Sequence, residues 1–179
     1  KDILGFPLTH TNNGWLNLSG SEYVDCGSSS VINFSEFNFT YEAWVKMDDS
    51  TPASNVCVIG GGANSYLFVI QTDGYLRFEE KGTGTQTVST GRITDTNWHH
   101  VAVSAHDTNQ ITFFLDGDEK DTDTYAQLAD TNNTYTIGQH GSDGDYFKGS
   151  IDEVKFYGRA LVESEVLKNY KHGKGKHPN

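Results

Sequence analysis

Trp98-His99-His100-Val101-Ala102-Val103, Phe114-Leu115-Asp116-Gly117 and Gly149-Ser150-Ile151-Asp152-Glu153-Val154-Lys155-Phe156-Tyr157 are the stretches that decide the fold of this chain. Each follows a period-two pattern, and side chains of an extended strand point alternately to opposite faces. Each stretch therefore reads as strand, with one face turned into a core. Asp116-Gly117 suits a reversal of chain direction, and Gly149 lets backbone approach closely where the last strand begins.

Outward from these stretches, strand signals recur about every ten residues, the rhythm of an antiparallel sandwich. Phe37, Phe39, Tyr41, Ala43 and Val45 share one face, which is expected in the core. Residues 66–71 and 75–80 flank Thr72-Asp73-Gly74 and read as a hairpin. On its second arm Leu76 and Phe78 face one way, and Tyr75, Arg77 and Glu79 the other. Residues 98–104 and 111–115, joined through Asp107, Thr108 and Asn109, form another hairpin. A polar loop then runs from Asp116-Gly117 to the alternating strand Thr134-Tyr135-Thr136-Ile137-Gly138. Val162, Val166 and Tyr170 recur every four positions, with Glu163 and Glu165 early and Lys168 and Lys171 late, which suits a short closing helix and its dipole. Residues 1–172 are expected to form one domain, and 173–179 a tail or linker.

With 179 residues, 35% of them hydrophobic, the chain suits one core wrapped in short strands and polar turns rather than a helical bundle. A formal net charge of -11 repels phosphate backbones and anionic headgroups and argues against nucleic acid as a partner. No apolar run approaches the roughly 20 residues needed to cross a bilayer, so membrane insertion is not expected. Residue 1 is Lys rather than Met, and the chain is expected to be part of a larger polypeptide. Cys26 and Cys57 lie in strand-like segments; they pair if those strands are neighbours, or remain buried thiols, and sequence does not choose. Asn17, Asn33, Asn38 and Asn132 each open an N-glycosylation triplet, a frequency that chance explains in a chain so rich in Asn, Ser and Thr.

From about residue 15 to residue 170 the chain resembles the laminin-G-like branch of the concanavalin A-like lectin and glucanase superfamily. The matching stretches are residues 20–26, 39–46, 98–103, 114–117, 136–138 and 147–161, in that order. The resemblance implies an all-β fold: an antiparallel two-sheet jelly-roll sandwich with a short C-terminal helix. It implies an extracellular or cell-surface setting. It also implies a structural Ca2+ ion joining the first strand's loop to the last strand, where Glu22 and Asp152 stand; otherwise Asp152 hydrogen-bonds loop amides. The family usually places a small hydroxyl residue after the Ala-Leu pair as a helix cap, where this chain has Val162.

Catalysis is not expected. Retaining glucanases of the superfamily carry Glu, Asp and Glu at alternate positions of one strand. The nearest approach here is Ser150, Asp152 and Val154, with Glu153 expected on the opposite face. Tyr146-Phe147-Lys148-Gly149 faintly resembles a motif of jelly-roll alginate lyases, but their Arg-rich and Gln-x-His strands are not apparent. Adjacent His99 and His100 project oppositely and do not readily close on one ion.

Sugar recognition needs exposed aromatic rings beside amides and carboxylates. Asn64, Tyr66, Tyr75, Arg77 and Glu79 are expected together on one hairpin face, and His140, Asp143, Asp145 and Tyr146 in a nearby loop. The reading that results is a non-catalytic carbohydrate-binding or adhesive module of a larger extracellular protein, whose ligand is a glycan or an extracellular protein. The alternative is an interaction or structural domain of a surface or virion assembly.

Overall fold

The computed structural model describes residues 14–28, 38–62, 65–80, 84–125, 134–140 and 144–178. Among these residues twelve strands and one helix follow in chain order: β1 (Leu16–Ser19), β2 (Val24–Ser28), β3 (Phe39–Met47), β4 (Val56–Gly61), β5 (Tyr66–Ile70), β6 (Tyr75–Glu80), β7 (Thr85–Arg92), β8 (His99–His106), β9 (Gln110–Leu115), β10 (Asp118–Thr124), β11 (Thr134–Ile137), β12 (Lys148–Tyr157) and α1 (Glu163–Lys174). They form two antiparallel six-stranded sheets, β1-β12-β3-β8-β9-β10 and β2-β11-β4-β5-β6-β7. The all-β sandwich read from the sequence is the observed architecture.

The core lies between the sheets, built from the alternate positions that face inward. On β3 these are Phe39, Tyr41, Ala43, Val45 and Met47. Phe39 meets Tyr66 and Phe78 of the other sheet at ring-centroid distances of 5.2 and 5.9 Å. Thr40, Glu42 and Trp44, on the opposite face of β3, are buried too, because α1 and the residues around it cover that side. Thr40 Oγ1 accepts the Leu161 N–H at 2.9 Å, and the Ser104 hydroxyl donates to the Leu161 carbonyl at 3.0 Å, which seats the segment entering the helix. Ala102, Phe114, Leu161 and Val166 close a small apolar cluster beneath α1.

The helix starts without a hydroxyl cap. Glu165 accepts the Val162 N–H at 3.3 Å and is held by both guanidinium nitrogens of Arg159 at 2.8 and 2.7 Å, a pairing that lowers its carboxyl to about 2. The Glu42 carboxylate anchors the helix middle, accepting Lys155 Nζ at 2.7 Å and Asn169 Nδ2 at 2.9 Å.

Residues 173–178, expected to leave the domain, instead pack against it. The His177 ring stacks on Trp44 at 4.4 Å, and its nitrogens meet the Gly173 carbonyl at 2.8 Å and Asp152 Oδ2 at 2.9 Å. Gly173 is required here, since a Cβ would stand 2.2 Å from Trp44 Nε1. Residues 118–124, expected as polar loop, are a strand: β10 pairs with β9, and Asp123 accepts the Thr87 hydroxyl at 2.5 Å across the sheet edges. Cys26 and Cys57 are not joined to each other, and β11 lies between their strands. Burial pushes the Cys26 thiol up to about 11.

Candidate functional site

The order of the first sheet builds the site. β12 runs between β1 and β3, so Lys148 at its start pairs with Ser19 while Gly149 pairs with Met47. Gly149 has φ +137°, and a Cβ there would stand 2.1 Å from the Lys46 carbonyl, so only glycine lets the two strands close at this point. The ends of β1, β3 and β12 thus converge, and the loops leaving them enclose a hollow of about 360 Å³ lined by Ser19, Met47, Asp49, Pro52, Tyr146 and Lys148, among others.

Tyr146 is fixed from both sides. Phe147 is fully buried in the core and its N–H donates to the Gly138 carbonyl at 2.9 Å, which pins the backbone beside the ring. The Tyr146 hydroxyl accepts Gln139 Nε2 at 3.0 Å. Lys148 is exposed, and its stem runs over Gly20, where a Cβ would meet it at 3.7 Å. Asp49 turns one carboxylate oxygen back into its own loop, accepting the Thr51 N–H at 2.9 Å and the Thr51 hydroxyl at 3.2 Å. A half-buried ring, a free ammonium and a carboxylate around a hollow of this size suit a polar, ring-shaped ligand.

Of the expected binding residues, Tyr146 lines this hollow and the other described ones do not. Asp145 and His140 sit in the same loop but behind it: His140 is buried, its Nδ1 3.8 Å from Asp145 Oδ2. Tyr75, Arg77 and Glu79 do share one face of β6, yet they are engaged locally. Arg77 pairs with Glu79 at 3.1 Å, and the Arg92 guanidinium lies 5.5 Å from the centre of the Tyr75 ring. Tyr66 corrects the expectation, because it is fully buried on the inner face, packed on Phe39 and Phe78 at 5.2 Å each. It stands opposite Glu80 rather than beside Glu79, which puts it on the other side of the sheet. Asn64 and Asp143 lie outside the described residues. Lys148 and Asp49 were not singled out for binding; the only signal for them was a charged residue beside the Tyr146-Phe147 pair and a polar, turn-rich run after β3.

Glu22 and Asp152, where the resemblance implies calcium, are each engaged within the chain. Glu22 is exposed and both its oxygens accept the Ser19 hydroxyl, at 2.9 and 2.7 Å. Asp152 is bonded instead to His177 and, at 2.8 Å, to the Glu153 N–H. No group of three or more His, Cys, Asp and Glu that could hold a metal ion occurs among the described residues.

The last strand holds a second correction. Its register shifts between Asp152 and Lys155, and Glu153 takes φ +46°. This bulge turns Glu153 to the same side as Asp152, where Lys176 meets it at 2.6 Å next to the His177 that meets Asp152. The two carboxylates are thus bonded by one C-terminal segment, Glu153 to Lys176 and Asp152 to the His177 ring, and neither lines a described hollow.

A smaller hollow of about 220 Å³ lies against Trp44, Trp98, Tyr170 and His177. Its rings pack on one another: Trp44 stacks with both Tyr170, at 5.5 Å, and His177. At its rim His99 stands between Asp116 at 2.9 Å and Asp95 at 3.2 Å. Burial lowers the imidazole pKa, but the two carboxylates outweigh it and the net shift is upward.

No curated protein sequence matches the chain. Among solved structures it is similar to the binding domain of paraclostridial mosquitocidal protein 1, at 20% identity and a TM-score of 0.71 over 88% of this chain and 43% of that one. The binding domain of botulinum neurotoxin DC in complex with SialylT is similar at 13% identity, with a TM-score of 0.68 over 85% and 39% of the two chains. Domain 4 of AbnA, an extracellular arabinanase from Geobacillus stearothermophilus in complex with arabinotriose, is similar at 20% identity, with a TM-score of 0.69 over 86% and 75%. The chain thus spans less than half the length of the two toxin binding domains. A family model described as concanavalin A-like lectin/glucanases superfamily matches residues 18–167. With the sandwich, its strand order and this match together, the chain belongs to the concanavalin A-like lectin/glucanase superfamily.

Proposed function

We propose that this chain is a non-catalytic carbohydrate-binding or adhesive module of a larger extracellular or cell-surface protein. The observation that carries the reading is the hollow at the ends of β1, β3 and β12, where a pinned Tyr146 ring stands beside Lys148 and Asp49. The ring supplies an apolar face for a pyranose, and the two charged heads supply a donor and an acceptor for its hydroxyls. The similar solved structures named above support a binding role, two of them being described as binding domains and one being in complex with arabinotriose. The carboxylates of the last strand, Glu153 engaged by Lys176 and Asp152 by the His177 ring of the same segment, support a role without hydrolysis. No helix among the described residues is long and apolar enough to cross a membrane.

A glycan array probed with the protein, with calcium and again with chelator, tests the reading. Binding to at least one glycan class, lost in Tyr146→Ala while the melting temperature holds, is the expected result. Failure to bind any neutral or acidic glycan at millimolar concentration would overturn it.

A further inference from the structure

We propose that the hollow beside Tyr146 selects an acidic sugar, one whose carboxylate pairs with Lys148. This rests on the binding reading above and names its ligand class.

The described lining of the hollow offers more donors than acceptors. Among the described residues, Lys148 is the only cation that lines it and Asp49 the only carboxylate. Asp49 keeps its charge but turns one carboxylate oxygen into its own loop, accepting two bonds from Thr51, and Lys148 makes no ion pair among the described residues. The Lys148 ammonium therefore keeps three donor hydrogens free, its stem steered over Gly20 toward the hollow. The Tyr146 hydroxyl already accepts from Gln139, so its own hydrogen is left for an acceptor in the ligand. The Ser19 hydroxyl, by contrast, is spent on Glu22. The balance among these described side chains is four free donor hydrogens, three on Lys148 and one on Tyr146, against the one Asp49 oxygen that Thr51 leaves unused. A neutral sugar hydroxyl needs donors and acceptors in similar number, whereas a carboxylate takes donors only and gains from the charge. The chain's overall charge of -11 opposes an anionic ligand at long range, but that field is screened beyond about 8 Å at physiological salt, so local chemistry decides.

The test titrates glycans terminated in glucuronic, galacturonic or sialic acid, each beside its own methyl ester, at 0.15 M salt. Wild type should bind at least one acid more tightly than its ester, by about threefold to tenfold, as a largely exposed charge-assisted pair allows. Lys148→Met should erase the preference and Lys148→Arg should keep it, with Lys46→Met, an exposed lysine outside the hollow, leaving it unchanged. Equal binding of acid and ester, or a preference that survives Lys148→Met, overturns the inference and leaves the glycan-binding reading standing. An oligoaspartate bound as tightly as the acidic sugars also overturns it, since the site would then read charge alone. Failure of acids and esters alike sinks both readings.

Discussion

Lys155→Met should uncover a buried charge. Glu42 is fully buried, and its carboxylate is held by Lys155 at 2.7 Å, by Asn169 at 2.9 Å and, more loosely, by His100 at 3.7 Å. Burial raises the carboxyl pKa, but the partners outweigh it and the net shift is downward, so the group is ionised at neutral pH. Removing one partner of a buried pair costs about 3–5 kcal/mol, because the other charge stays behind without compensation. Lys155 is 35% exposed, which lets water take part of its place, so the cost should fall to about 2 kcal/mol. For a domain of this size that corresponds to a melting temperature lower by about 4–8 °C at pH 7. The sign of the pH dependence follows from the lowered pKa. In wild type, Glu42 contributes stability that is present above its unfolded value, about 4.3, and is lost as pH falls through the folded value. In the variant that contribution shrinks, and the gap between the two proteins should narrow toward acid. Differential scanning calorimetry from pH 4 to 8, with the double variant Glu42→Gln/Lys155→Met, checks the cause, because a neutral amide should recover most of the loss. A shift under about 1 °C at pH 7, or a double variant as unstable as the sum of the singles, would refute the reasoning.

Gly173→Ala should destabilise the domain although alanine favours helix. The new methyl would stand 2.2 Å from Trp44 Nε1, and overpacking of this kind costs about 1–3 kcal/mol, read from urea midpoints. His99 should stabilise the protein below the ordinary imidazole value of about 6.5 and lose that contribution as pH rises through its raised folded value. The stability difference between wild type and His99→Gln should therefore shrink between neutral and mildly alkaline pH, measured by chemical denaturation across that range. Tyr66→Ala should cost about 3–5 kcal/mol by emptying a core position, whereas Tyr146→Ala should leave the urea midpoint nearly unchanged and act on binding.

Why some of these elements were legible in the sequence and others were not follows from where burial leaves a mark. β3 and β6 carry apolar positions at strand spacing, and the structure keeps their described inner faces as read. β10 carries no such mark, since Asp118-Glu119-Lys120-Asp121-Thr122-Asp123-Thr124 is polar on both faces. An edge strand needs no apolar face when its backbone bonds to β9 and its side chains bond across to β7. Tyr66 was misplaced for the opposite reason. Tyr66-Leu67-Phe68-Val69-Ile70 is apolar throughout, so alternation cannot say which side is inner. The turn could have decided it. Gln71 and Tyr75 close the hairpin around Thr72-Asp73-Gly74, which sets Ile70 opposite Leu76 and carries Tyr66 to Glu80, on the inner side with Phe78. Glu153 escaped a strict two-residue period because a bulge breaks that period.

The candidate site was hidden more deeply, since no spacing along the chain joins Ser19, Asp49 and Tyr146. Their meeting is a property of strand order. β12 enters the first sheet between β1 and β3, so the residues just before it arrive beside the end of β1 and the loop after β3 at once. Register then sets which side chain arrives: Lys148 opposite Ser19, Gly149 opposite Met47, and the Tyr146 ring one step outside the ladder, pinned by Phe147 in the core. A slip of one residue in β12 would turn Lys148 to the opposite face and move Gly149, with its positive φ, out of the place where β3 comes so near. Gly149→Ala is therefore a sharper probe of the site than any change to its lining. It adds one methyl between β12 and β3 and removes no group from the lining, yet by forcing β12 away from β3 it should weaken glycan binding together with stability, whereas Lys148→Met should change ligand preference alone.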